Sequence, residues 1–135
     1  MKTQGFVNGN IREGDKNPVA IFKRLLSLYD GIDRDTLREN MRYFLSAVMP
    51  VCEEYGVNMC VHPDDPPFQI LGLPRIVTNE EDIDWFLRAV DNPHNGLTFC
   101  AGSLSAGEHN DTRELARKFA KRTHFVHLRR TAAMP

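Results

Sequence analysis

Apolar residues recur along this chain at two alternating periods, three or four residues in some segments and two in others. Asn17 can cap a helix with Pro18 at its first position, and Ile21, Phe22, Leu25, Leu28 and Tyr29 then fall on one stripe before Gly31. That spacing predicts a helix from Asn17 to Asp30. A longer helix is expected from about Asp33 or Asp35 to Tyr55, with Leu37, Met41, Phe44, Leu45 and Val48 spaced three or four apart, Pro50 bending or interrupting it, and Gly56 as the stop. The apolar run Val57–Val61 reads as a strand. Thr78-Asn79-Glu80-Glu81 reads as a capping box opening a helix to Val90, closed before Pro93. A strand from Leu97 to Ala101 follows an Asn95-Gly96 turn. Asp111 and Glu114 can cap a fourth helix carrying Leu115 and Phe119, and a strand Thr123–Leu128 follows at once.

The predicted order is α-α-β-α-β-α-β. Strands separated by helices of this length pair in parallel through right-handed crossovers, so the class is α/β with about three strands and four helices. Alternate strand residues face opposite sides. Val57, Met59 and Val61 then oppose Asn58, Cys60 and His62; Leu97, Phe99 and Ala101 oppose Thr98 and Cys100; Val126 and Leu128 oppose Thr123, Phe125, His127 and Arg129. In a (β/α)8 barrel the oily face meets the helices and the other face lines the interior, with the active site at the C-terminal ends of the strands. His62, Cys100 and His127 would converge there.

Composition narrows the classes. A chain of 135 residues with 41% hydrophobic and 26% charged positions is ordinary globular material of about one domain. Seventeen basic against eighteen acidic side chains, without a basic stripe, argue against nucleic acid as the partner. The longest apolar run, Tyr43 to Cys52, is too short for a bilayer, and the polar start lacks a signal-peptide core, so a cytoplasmic protein is expected. Three cysteines without CxxC spacing suit reduced thiols that pack or bind metal, with Cys52 and Cys60 read as packing residues.

Two imidazoles and a thiol at successive strand ends are chemically a metal-ligand set. Each alone has a plainer reading, His62 and His127 as hydrogen-bonded structural histidines and Cys100 as a small buried hydrophobe. From spacing alone the two readings stand level. The segments "VHPDDPPFQILGLPRIV", "GLTFCAGS" and "THFVHLRRT", with "LRENMRYFLSAVMPVCEEYGV" before them, resemble the mannonate dehydratases, metal-dependent lyases with a xylose-isomerase-like TIM barrel. The similarity runs from about Tyr29 to Thr131; residues 1–28, expected as loop plus helix, fit the family less clearly.

The resemblance implies that His62, Cys100 and His127 are metal ligands for Mn2+ or Fe2+. The donor set by itself would also suit Zn2+. It further implies the loss of water from D-mannonate to give 2-keto-3-deoxy-D-gluconate in hexuronate breakdown. The family's fourth ligand, an aspartate in a later RPDHG-type motif, has no counterpart before Pro135. Three strands cannot close a barrel of about 250 residues. The sequence is therefore expected to be a single partial barrel domain from a larger enzyme, inactive alone and prone to homo-oligomerise through open edges. Arg129 is a candidate partner for the sugar-acid carboxylate. Arg75, Asp64 and Asp65 are weaker candidates for substrate contact or for orienting His62. No general acid or base is assignable. Another metal-dependent sugar isomerase-like enzyme, or a non-catalytic α/β assembly module, remains an alternative.

Overall fold

The computed structural model describes residues 17–129, which fall into two compact units divided between Ile32 and Asp33. Residues 1–16 and 130–135, including the start of the expected N-terminal loop, lie outside the described residues. In the first unit, α1 spans Pro18–Ser27, and the Asn17 side chain accepts from the Ala20 N–H at 3.0 Å. The helix stops at Ser27, three residues before the expected Asp30. Leu28, Tyr29 and Asp30 instead donate to carbonyls three residues back, a tightened last turn, before Gly31 takes φ 78°.

The second unit is α/β. Among the described residues the chain runs through α2 (Arg34–Tyr55), β1 (Met59–Val61), α3 (Glu80–Ala89), β2 (Asn95–Cys100), α4 (Ala101–Ser105), α5 (Thr112–Phe119), a 3-10 turn (Ala120–Arg122) and β3 (Thr123–His127). Counting α1, the described residues hold five α-helices in place of the four expected, because Ala101 begins a short helix where a strand end was predicted. The three strands form one parallel sheet in the order β1-β2-β3. Pro50 neither ends nor interrupts α2, which continues to Gly56 in the left-handed C-cap conformation at φ 63°.

Helix α3 is capped by Asn79, not Thr78: the Asn79 side chain accepts from the Asp82 N–H at 3.0 Å. Thr78 instead donates to Asp82 through its N–H (2.9 Å) and hydroxyl (2.6 Å). Asp82, fully buried, also pairs with Arg34 and Arg38 of α2. One carboxylate thus fastens the first turn of α3 to α2. This cluster left no mark in the periodicity.

Asn95 and Gly96 begin β2; they are not a turn. The buried Asn95 amide donates to the Phe86 and Val90 carbonyls and so closes the end of α3. Gly96 permits the neighbouring strand to approach, since a Cβ there would lie 2.0 Å from His124 Cδ2 and 2.6 Å from the Arg122 carbonyl oxygen. Leu97 pairs with Thr123 but Thr98 with Phe125, so His124 is an extra residue that shifts the register. Thr123 therefore does not share the face of Phe125 and His127, which corrects the alternation read from sequence. Leu97 and Phe99 meet Leu45 and Met49 of α2, Ile83 and Phe86 of α3, and Leu115 and Phe119 of α5 in a single buried cluster. Beyond the shift, Cys100 stands beside His127.

Candidate metal centre

The three sequence-predicted ligands come together. One donor atom from each of His62, Cys100 and His127 lies within 4.8 Å of the others, and the two imidazole rings sit 5.2 Å apart between centroids. Their convergence follows from the topology. His62 is the residue after β1, Cys100 ends β2 and His127 ends β3, so parallel strands deliver all three to one sheet end, on one face.

His62 Nδ1 is 2.6 Å from the Pro63 carbonyl oxygen, which can only accept. The proton therefore sits on Nδ1 in the neutral ring and leaves the Nε2 lone pair for a cation. A backbone carbonyl orients His62; neither Asp64 nor Asp65 bonds to it. Phe125 packs edge-on against the His127 ring with centroids 5.2 Å apart.

Cys100 is fully buried. Burial pushes its thiol up from the usual 9.0, but hydrogen bonds from the Ser103 side chain and backbone, Arg129 and His127 outweigh it and bring the group down to about 6. A thiolate is the ligating form. For metal–nitrogen and metal–sulfur bonds of about 2.1 and 2.3 Å, tetrahedral ligands stand about 3.6 Å apart, so the donors need to draw in by no more than about 1 Å. Softness, the tautomer of His62 and the acidified thiol all fit a divalent transition metal.

Arg129 crosses the same end. Its Nε–H donates to Cys100 Sγ at 3.2 Å, and its Nη2 to Asp65 Oδ2 at 2.6 Å and Ser103 Oγ at 3.0 Å. The bond to Cys100 and then the pairing with Asp65 raise the guanidinium further above its usual range. Arg129 and Asp65 nonetheless stay about half exposed, at 54% and 48%. Asp64 is turned elsewhere: one oxygen accepts from the Ile76 and Val77 N–H groups at 2.8 and 2.9 Å, and the other faces Arg75 at 3.4 Å. Arg75 and Asp64 thereby tie the loop after β1 to the segment before α3. An open concavity of about 430 Å³ is bounded by His62, His127 and Arg129. A wider groove of about 630 Å³ beside Arg38 and Trp85 lies on α2 and α3 and holds no comparable donor set.

Sequence reasoning missed Ser103. The signal was the Cys100-Ala101-Gly102-Ser103 spacing: if the strand turns straight into a helix, the third residue on returns to the same side.

A parallel α/β unit with histidine, cysteine and histidine at adjacent strand ends defines an α/β protein with a candidate metal-binding cluster. Comparison with known proteins narrows the class. Residues 7–134 match the family model described as D-mannonate dehydratase (UxuA). Over 109 residues the chain is 51% identical to the mannonate dehydratases of Thermotoga petrophila and Thermotoga maritima, covering 79% of this chain and 30% of each relative. The crystal structure of mannonate dehydratase from Streptococcus suis serotype 2 superposes with a TM-score of 0.74 at 40% identity, over 78% of this chain and 31% of that one. The chain belongs to the D-mannonate dehydratase family. It spans about a third of the length of these relatives.

Proposed function

We propose that this chain supplies the metal-binding portion of an enzyme that dehydrates D-mannonate to 2-keto-3-deoxy-D-gluconate. The carrying observation is the convergence of His62, Cys100 and His127 at one sheet end in a chain of this family. His62, Cys100 and His127 are the ligands in this reading, with the remaining ligand contributed from outside these residues. A bound divalent cation, manganese or ferrous iron in preference to zinc, supplies Lewis acidity for the carboxylate and hydroxyl oxygens of a sugar acid.

The chain's own residues bind and orient. Pro63 holds His62 in one tautomer, and Arg129 stands at the rim of the concavity with a half-exposed guanidinium suited to a carboxylate. Asp65 aims that guanidinium. Arg75 and Asp64 shape the loop beside it, and their approach to substrate is second to Arg129's.

The strand order in chain sequence, β1-β2-β3 with helical crossovers, supports a segment of a (β/α)8 barrel in a single partial domain. Exposed Phe125 and Val126 on β3, and Leu128 just past it, support pairing with further strands or with a second copy. Among the described residues no helix is long and apolar enough to cross a membrane. Three free cysteines suit the reducing cytoplasm as the site of action.

The test is turnover. The complete protein, supplied with manganese or ferrous iron under reducing conditions, should convert mannonate to the 2-keto-3-deoxy acid and lose activity with chelator. The 135-residue chain alone should give no meaningful turnover, because the ion is incompletely held and substrate is poorly walled from water. A complete protein that ignores mannonate, or works equally well with chelator, would refute the reading.

A further inference from the structure

Strand topology brings Cys100 to its imidazole neighbours, and a second set of contacts surrounds its sulfur. Ser103 lies one turn further on in α4, only 1% exposed, with its hydroxyl 3.1 Å from Cys100 Sγ and 3.0 Å from Asp65 Oδ2. A hydroxyl carries one proton, so it donates to one of these at a time. Asp65 Oδ2 already accepts from Arg129 Nη2 at 2.6 Å, and the same nitrogen donates to Ser103 Oγ at 3.0 Å. Sulfur and Asp65 Oδ2 are therefore alternative acceptors for one proton, and Arg129, by donating to both Ser103 Oγ and Asp65 Oδ2, holds the hydroxyl within reach of sulfur. The Arg129 stem lies across Gly102, where a Cβ would stand 2.6 Å from its Cγ. Small residues at 102 and 103 thus let one arginine, rooted after β3, reach the residue ending β2 and the loop after β1.

We propose that Ser103, held in place by Arg129 and Asp65, is a positioning residue for Cys100: its hydrogen bond fixes the sulfur toward His62 and His127 and sets how tightly the site takes a thiophilic divalent cation. This rests on the metal-centre reading above and adds to it the source of the sulfur's aim. Partners behind a metal ligand commonly govern affinity by about 10- to 100-fold.

Cobalt(II) is the probe, because sulfur ligation produces a thiolate-to-cobalt charge-transfer absorption that oxygen and nitrogen ligands do not. The full 135-residue chain is titrated under reducing, anaerobic conditions, alongside Ser103→Ala, Ser103→Gly, Arg129→Gln and Cys100→Ser. The unsubstituted chain should develop the band and Cys100→Ser should lack it. Ser103→Ala should keep cobalt binding through the imidazoles, with a band shifted and weakened and a dissociation constant raised about tenfold. Ser103→Gly, which also removes the hydroxyl, should change the band in the same direction and carries the test should Ser103→Ala fail to fold; Arg129→Gln, which loses its own bond to sulfur as well, should change the band further. Absence of the band in the unsubstituted chain would overturn the metal centre and the positioning role together. A normal band in that chain, unchanged in energy, intensity and affinity in a folded Ser103→Ala or, failing that variant, in Ser103→Gly, would overturn the positioning role and leave the metal centre standing.

Discussion

Two buried polar centres in the second unit use similar groups to opposite ends. Around Asp82 every acceptor is answered: Arg34, Arg38 and both donors of Thr78 converge on a carboxylate with no solvent exposure. Around Cys100 the support is equally dense, from Ser103 and Arg129, but its neighbours at the sheet end are two imidazoles, of which His62 keeps its Nε2 lone pair free. The first centre is closed and fastens two helices. The second is closed around the sulfur and opens at its imidazoles onto the concavity they border, which is what holding an exchangeable cation requires.

The sharpest way to break the comparison is to unpair each centre. Asp82→Ala leaves two arginines aimed at a vacated buried site and should destabilise the chain by about 3–5 kcal/mol, read by urea unfolding. Cobalt affinity of the molecules that remain folded should be unchanged. Cys100→Ser should do the converse, lowering divalent-metal affinity by about 100-fold, while Cys52→Ser, a core residue of α2, leaves it unaltered. Equal metal retention by both cysteine variants would erase the distinction between the centres.

Gly96→Ala probes how closely β3 must approach β2 to bring His127 beside Cys100. It should cost about 1–3 kcal/mol. Adding His124→Ala should recover only part of that loss, because the Arg122 carbonyl also stands in the way and belongs to the backbone.

A subtler expectation concerns pH in the metal-free chain. The Cys100 group is lower folded, at about 6, than its ordinary 9.0, so its contribution to stability is full above pH 9 and fades as pH falls toward 6. Urea midpoints of the chain and of Cys100→Ser, compared in chelator, should therefore converge across that window. A constant offset would mean that the sulfur's partners do not favour thiolate.

The elements that hold the site were largely legible in the sequence, because capping and periodicity act locally. Asp111 caps α5 where expected, through the Arg113 and Glu114 N–H groups, and three parallel strands follow their helices in order. The convergence of His62, Cys100 and His127 was legible for a related reason: strand ends in a parallel sheet share one edge of the layer. What escaped were arrangements that sequence spacing does not encode. Asp82 finds Arg34 and Arg38 across 48 and 44 residues, and Arg129 finds Asp65 across 64. The extra residue His124 was also hidden, since an alternation of polar and apolar positions carries no mark of a one-residue register shift.

The central claim is that one sulfur and two imidazoles take a single ion. X-ray absorption at the zinc edge of the zinc-loaded chain addresses it most directly. One sulfur neighbour at about 2.3 Å with imidazole nitrogens at about 2.0–2.1 Å is the expected shell, and Cys100→Ser should remove the sulfur while the imidazole scattering stays. A shell of oxygen and nitrogen alone in the unsubstituted chain, or a sulfur contribution that survives Cys100→Ser, would contradict the account.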